Sequence, residues 1–147
     1  MRWDCYLRQG TVFLPTVGKV DKNVYFHVEP VVVVPVSNTG ALRTALRETI
    51  KRGNPAVEYD RLAPPILAKY AGVKSWNTFA RKASVWVMDE TNGTLRIEAN
   101  LRGSNGAFTV DKSGIKTLPA GSTIDDLIDR MIAILQKAAA SEPAKSK

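Results

Sequence analysis

The sequence has almost none of the side chains that acid–base, thiol or metal chemistry requires. In 147 residues there is one histidine, His27, and one cysteine, Cys5. A single cysteine excludes a disulfide within the chain and fits a reducing compartment. Neither a Cys-x-x-Cys pair nor a His-x-x-x-His pair occurs, so the spacing typical of a zinc site is missing. We therefore predict no enzyme, with no catalytic residue, no metal site and no cofactor.

Both scarce residues have an ordinary structural interpretation. His27 follows Phe26 in a β-prone run, which favours a strand residue held by a hydrogen bond. Cys5, between Asp4 and Tyr6, is interpreted as a small packed hydrophobe. A Cys5–His27 dyad across neighbouring strands stays open as the enzymatic alternative, although no third residue that would orient it is evident.

Long apolar runs are also missing. The longest spans residues 31–36, is interrupted by Pro35, and is far shorter than the ~20 residues that cross a bilayer. The first four residues, Met-Arg-Trp-Asp, are not followed by the apolar segment of a signal peptide. The composition, 44% apolar and 24% charged, is that of a globular protein. We expect one cytoplasmic domain with no membrane partner.

Positive charge is what the sequence has in surplus, and it is concentrated in one stretch. Lys and Arg outnumber Asp and Glu by 21 to 14, and residues 40–82 carry nine basic against three acidic residues, or +6 of the total +7. Such a surface attracts nucleic acid, anionic lipid or an acidic protein face, and charge alone does not choose among them. The candidate partner-binding residues are Arg43, Arg47, Lys51, Lys74, Arg81 and Lys82.

Hydrophobic periodicity predicts an α+β fold in a single domain over residues 1–137, with a disordered tail over 138–147. Two principal helices are predicted over 39–52 and 123–138, and both should pack on a mainly antiparallel sheet. Short helices are predicted over 66–70 and 76–82. The predicted strands are 3–8, 11–16, 24–28, 31–36, 84–90, 94–101 and 107–110, with turns at Gln9-Gly10, 18–23, Asn92-Gly93 and 103–106.

Charges on the two principal helices leave alternatives open. Arg43, Arg47 and Lys51 recur every four residues and share one helix face, which is either a solvated surface or a binding surface. Three aspartates near the start of the last helix suit the helix dipole, and a hard-cation site is the alternative. These are Asp125, Asp126 and Asp129.

Several segments carry a resemblance to a known family. They are 6–16 (YLRQGTVFLPT), 28–37 (VEPVVVVPVS), 45–48 (ALRE), 67–76 (LAKYAGVKSW), 118–122 (LPAGS) and 129–132 (DRMI). Together, over most of residues 3–137, they resemble small bacterial immunity proteins of contact-dependent growth inhibition systems. The resemblance implies a cytoplasmic protein that binds a toxin domain delivered by a neighbouring cell, often a nuclease, and neutralises it without catalysis.

Two hypotheses for function follow. Under the first, the chain is an immunity-type binding protein that occludes a cognate toxin domain, and its positive surface faces acidic or neutral toxin residues. Under the second, it is a nucleic-acid-binding domain that uses the basic surface of residues 40–82. Trp76 and Phe79 would then stack on bases, although their helical spacing favours burial. Steeply salt-dependent binding of RNA or DNA would distinguish the second hypothesis.

Overall fold

A six-stranded antiparallel sheet forms the middle layer of the molecule. The computed structural model describes residues 1–22, 24–59, 62–102 and 108–142. The strand order is β3-β2-β1-β4-β5-β6, and every neighbouring pair is antiparallel. The strands are β1 (Arg2–Arg8), β2 (Thr11–Asp21), β3 (Val24–Pro35), β4 (Ala83–Thr91), β5 (Thr94–Arg102) and β6 (Phe108–Thr117).

Helices cover both faces of the sheet, because the side chains of a strand alternate between the two faces. Trp3, Cys5 and Leu7 of β1 belong to the core beneath α1 (Thr39–Arg52) and α4 (Ile124–Ala140). Tyr6, from the alternate set, belongs to a second core beneath α2 (Ile66–Ala71) and α3 (Trp76–Ala80). The predicted α+β fold, with two principal helices on a mainly antiparallel sheet, is therefore confirmed. No described helix is long and apolar enough to cross a membrane.

The two predicted hairpin turns have the backbone that tight hairpins require. Gln9 and Gly10 have φ of 50° and 76°, and Asn92 and Gly93 have φ of 51° and 81°. Paired positive φ values belong to the turn whose twist matches that of antiparallel strands, and Asn-Gly is its preferred sequence. Both turns join strands that pair in the sheet, β1 with β2 and β4 with β5.

The predicted turn over 18–23 is wrong for residues 18–21, which extend β2. Gly18, Lys19 and Asp21 pair with residues 24–26 of β3. The backbone of Lys19 also bonds the segment after α1, donating to Pro55 at 2.8 Å and accepting from Val57 at 3.1 Å. These partners lie far along the chain, so the polar local sequence did not reveal the strand.

The ends of three further elements differ from the predicted ends. β3 runs unbroken past the cis Glu29–Pro30 bond, opposite a register shift at Pro15/Thr16, instead of forming two strands. β6 extends to Thr117, well beyond the predicted 107–110, and α3 ends at Ala80 rather than at 82. The predicted turn over 103–106 lies outside the described residues.

The predicted disordered tail is wrong for residues 138–142. Helix α4 continues through Ala140, and the carboxylate of Glu142 accepts hydrogen bonds from the backbone N–H groups of Gln9 and Gly10, both at 2.8 Å. The carboxylate thus gives the β1–β2 turn two acceptors and fixes the end of the helix to the sheet. The remainder of the predicted tail, 143–147, lies outside the described residues.

Candidate functional site

The structure separates the candidate basic residues into two groups on opposite faces of the sheet. Arg43, Arg47 and Lys51 lie on α1, which packs beside α4. Lys74, Arg81 and Lys82 flank α3 on the other face. The six residues therefore do not form one surface.

The two arginines of α1 are paired within the chain. Arg43 donates to Asp129 of α4, and Arg47 donates to Asp125 at 3.2 Å. Asp126 instead closes a capping box with Thr123 at the start of α4. Each aspartate of the cluster thus has a partner, and the described residues contain no group of three or more acidic, His or Cys side chains that could hold a metal ion.

The cations around α3 are arranged differently. Lys74, Arg81 and Lys82 are exposed, and none of them forms an ion pair with another described residue. Trp76 and Phe79 face inward between these cations. Phe79 is fully buried, and half-buried Trp76 stacks on it at 5.6 Å between ring centroids. The aromatic pair therefore belongs to the core, as its helical spacing favoured.

An apolar groove of about 740 Å³ opens on the α2/α3 face, between β3 and the segment that leads into α2. Three exposed apolar side chains adjoin lining residues: Tyr59 and Tyr70 by contact with Phe26 and Glu29, and Leu62 as the chain neighbour of Ala63. Their exposed fractions are 59% for Tyr59, 37% for Tyr70 and 87% for Leu62. The Tyr59 ring meets that of Phe26 in the groove wall. The lining residues are Tyr25, Phe26, His27, Val28, Glu29, Ala63, Pro64, Pro65, Ile66, Leu67, Lys69 and Trp76.

A charged cluster adjoins this groove through His27. Asp4, which is only 2% exposed, accepts from Arg2 at 2.9 Å and lies 2.7 Å from Nε2 of His27. Burial alone would raise the pKa of Asp4, but hydrogen bonds from His27 and Arg2 hold it below its usual value, together with the charge of Arg2 and, when its ring is protonated, that of His27. Asp4 is therefore an ionised, fully partnered carboxylate.

This carboxylate fixes which nitrogen of His27 carries hydrogen. An ionised carboxylate only accepts, so Nε2 of His27 donates to Asp4. In the neutral ring Nδ1 is then an acceptor. Nδ1 makes no hydrogen bond to another described residue, and the ring lines the groove with its side chain 23% exposed. The ring of Tyr6 packs edge-on against the imidazole, with the two ring centroids 5.6 Å apart.

The interpretation of His27 as a hydrogen-bonded strand residue is confirmed, and the Cys5–His27 dyad is wrong. Cys5 and Asp4 are neighbours in β1, so their side chains lie on opposite faces, and His27 contacts Asp4. Cys5 is fully buried under α1 and α4. Burial, reinforced by the charge of Asp4, raises the pKa of its thiol and keeps it protonated.

Sequence reasoning missed both the Asp4–His27 pair and the groove. The two residues are 23 positions apart, and β2 lies between their strands. No spacing rule links such positions until the order of strands is known. The proline-rich segment that leads into α2 likewise carries no local signal of its position relative to β3.

Comparison with known proteins supports the fold alone. No family model matches the chain, and no curated protein matches it. Among solved structures, the chain is similar to a protein of unknown function from Neisseria meningitidis, NMB0488, with a TM-score of 0.65 and 13% identity. The match covers 97% of this chain and 94% of that one, so the same architecture extends over both chains.

Proposed function

We propose that this chain is a cytoplasmic immunity-type protein that binds a cognate toxin domain and neutralises it by occlusion. We further propose that the contact surface is the α2/α3 face, with the apolar groove at its centre and Lys74, Arg81 and Lys82 beside it. The toxin assignment rests on the resemblance of the sequence to immunity proteins. The choice of surface rests on the geometry.

The choice of surface rests on one observation: the apolar groove shares a face with cations that form no ion pair with any residue the structure describes. Contiguous exposed apolar surface on a soluble domain marks an interaction site more often than chance exposure does. Protein interfaces combine such a centre with a polar, solvent-accessible rim. The exposed rings of Tyr59 and Tyr70 are of the residue type that contributes most at interfaces.

The α1 face is a weaker candidate because its arginines already have partners. A toxin carboxylate that approached Arg43 or Arg47 would have to displace Asp129 or Asp125. The cations near α3 face no such competition from described residues. An acidic toxin patch would therefore gain more at Lys74, Arg81 and Lys82 than at the α1 group.

The same separation of charges bears on the nucleic-acid alternative. A phosphate backbone gains from a continuous basic track and from exposed aromatic rings. Here the cations divide between two faces and Phe79 is buried. We therefore place nucleic-acid binding second and make it an outcome of the test.

The test is co-purification. We expect the reading frame directly upstream of the chain's gene to encode a large exoprotein. The chain would be expressed together with the C-terminal domain of that upstream product. We expect a stable complex and protection of cells from that domain. Leu62→Ala should weaken the complex about tenfold or more if Leu62 is an interface anchor. The matched control is Ile124→Ala, which removes an exposed apolar side chain on α4, on the other face.

Three outcomes would contradict the proposal. The first is that no complex forms and cells are not protected. The second is that Ile124→Ala, and not Leu62→Ala, weakens the complex, which would move the contact surface to the α1/α4 face. The third is tight binding of RNA or DNA by the isolated chain that collapses with added salt, which would favour the nucleic-acid function.

A further inference from the structure

We propose that the groove receives one aromatic side chain of the partner that carries a hydrogen-bond donor, a tyrosine or a tryptophan. The O–H or N–H of that side chain would donate to Nδ1 of His27. This inference rests on the proposed function for its partner, but it concerns a property of the groove that can be measured without the toxin.

The walls of the groove suit an aromatic ring. Phe26, Val28, Ile66, Leu67 and Trp76 supply apolar surface around the space. Pockets for drug-sized ligands measure roughly 300–1,000 Å³, so a groove of about 740 Å³ has room for an aromatic side chain. Tyr and Trp are the residues most often found as interface anchors, since a large ring buries much area with few rotatable bonds.

The floor of the groove supplies one directional contact. Asp4 fixes hydrogen on Nε2 of His27, which leaves Nδ1 as an acceptor in the neutral ring. An apolar ring without a donor would bury this nitrogen unpaired, which costs free energy. A ring with an N–H or O–H would satisfy it, so the site discriminates by hydrogen bonding as well as by shape.

The charges around the groove disfavour a charged anchor. Glu29 accepts a hydrogen bond from Tyr70 at 2.7 Å and lies 3.8 Å from Nζ of Lys69, and Asp4 is paired with Arg2. Both of these carboxylates are thus matched within the chain. A carboxylate or ammonium inserted beside them would lose its hydration without gaining an unpaired counter-charge from them. A neutral donor avoids this cost.

The test uses two small probes, indole and 1-methylindole, which share a ring system but differ in the N–H donor. Each is titrated into the ¹⁵N-labelled full chain and followed by amide chemical shifts. We expect saturable shifts at residues 25–29 and 66–69 with indole, and roughly 3–10-fold weaker binding of 1-methylindole, the effect of one hydrogen bond. Long-range ¹H–¹⁵N spectra should show hydrogen on Nε2 of His27 in the indole complex.

Two variants sharpen the result. His27→Phe keeps an aromatic ring but removes the acceptor, so it should bind the two probes equally. Lys51→Gln, on the opposite face, should discriminate between them as the parent does. Amide spectra establish that each variant is folded. If His27→Phe does not fold, the parent's own discrimination between the probes still decides.

Equal affinity of the parent for both probes, or an absence of saturable shifts at the groove, would overturn the inference. Either result would leave the co-purification outcome unaffected. Conversely, discrimination between the probes with no toxin complex would show a groove of the inferred chemistry on a protein with a different partner.

Discussion

At the scale of single residues, Asp4 links the stability of the sheet to the groove. It is a buried carboxylate whose two partners, Arg2 and His27, both reach solvent. A buried charge is tolerated only where charge and hydrogen bonds replace its hydration. The same contacts that make Asp4 tolerable also orient His27, so one residue serves both the core and the candidate site.

Asp4→Asn should lower the free energy of unfolding by roughly 3 kcal/mol at pH 7. Removing one partner of a buried ion pair costs about 3–5 kcal/mol. We expect the low end of that range because Arg2 and His27 are partly exposed and can be hydrated once Asp4 is replaced. Urea unfolding measures the change. Glu48→Gln, which alters an exposed carboxylate of α1, should change stability by less than about 0.5 kcal/mol. An equal loss in the two variants would contradict the role assigned to Asp4.

The difference in the free energy of unfolding between the parent and Asp4→Asn should shrink as the pH falls. The pKa of Asp4 is lowered in the folded state from a reference of 3.8, so the unfolded chain binds its proton more readily as the pH falls. The stabilisation is therefore present above about pH 4 and is lost as the pH falls through the folded-state pKa. Urea unfolding of both proteins between pH 7 and pH 2 checks this, and a constant difference would contradict it.

The Asp4–His27 pair also shows where local sequence stops being informative. Each residue could be assigned to a strand from its neighbours, and both assignments hold. Their contact depends on the strand order β3-β2-β1, because Asp4 on β1 and His27 on β3 reach each other across β2. That order is a property of the assembled sheet. The groove and the Asp4–His27 pair beside it therefore could not be predicted from the spacing of residues along the sequence.

At the scale of elements, the segment that follows α1 fixes the far end of β2. Gly18 lies directly beneath Val57, and a Cβ at position 18 would come within 2.5 Å of a methyl carbon of Val57. Lys19, the next residue, holds the same segment by two backbone hydrogen bonds. The absence of a side chain at position 18 thus permits the contact that extends β2 beyond its predicted end.

Gly18→Ala should therefore lower the free energy of unfolding by about 1–3 kcal/mol, the usual cost of overpacking. Adding Val57→Ala should recover most of the loss, because it removes the methyl groups that clash. Gly40→Ala, in α1 with open space around it, should cause no loss and should gain up to about 1 kcal/mol from helix propensity. A double variant less stable than Gly18→Ala alone would refute this account.

The C-terminal end of α4 provides a second test at this scale. Glu142→Ala removes both acceptors for the N–H groups of Gln9 and Gly10 and should cost about 1 kcal/mol in thermal or urea unfolding. Glu142→Gln keeps one acceptor oxygen and should cost about half as much. If the alanine variant is as stable as the parent, the ordered contact of residues 138–142 does not stabilise the fold.

Element types were more predictable than their ends. Periodicity predicts a buried stripe on α4 formed by Ile124, Leu127, Ile128, Met131, Ile132 and Leu135. The prediction is confirmed from Leu127 onward, because that helix face packs on the sheet, and it is wrong for Ile124, which is exposed in the first turn. The ends of β2 and α4 depend instead on contacts with Pro55, Val57 and the β1–β2 turn. Such contacts have no signature in the local sequence.

At the scale of the whole molecule, the fold divides a basic sequence into two chemically different surfaces. The charges of residues 40–82 looked like one candidate surface in the sequence. In the structure, α1 presents arginines paired with α4, whereas the α3 side presents cations that form no ion pair with a described residue, on the same face as an apolar groove. We therefore propose that the α2/α3 face is the one that contacts the partner.

Two matched triple variants test that claim most directly. Lys74→Gln/Arg81→Gln/Lys82→Gln and Arg43→Gln/Arg47→Gln/Lys51→Gln each remove three positive charges and lower the formal net charge from +7 to +4. The general attraction between the chain and an acidic partner therefore changes equally in both. Any difference between them reports the location of the charges.

The measurement is the association rate constant of each folded variant with the toxin domain found by co-purification, at low and high salt. We predict that the Lys74/Arg81/Lys82 variant associates about tenfold more slowly at low salt and loses most of its salt dependence, as rim charges do. The Arg43/Arg47/Lys51 variant should stay within about twofold to threefold of the parent, the share expected from net charge alone. The reverse order, with the α1 variant slowed and the α3 variant unaffected, would contradict the account.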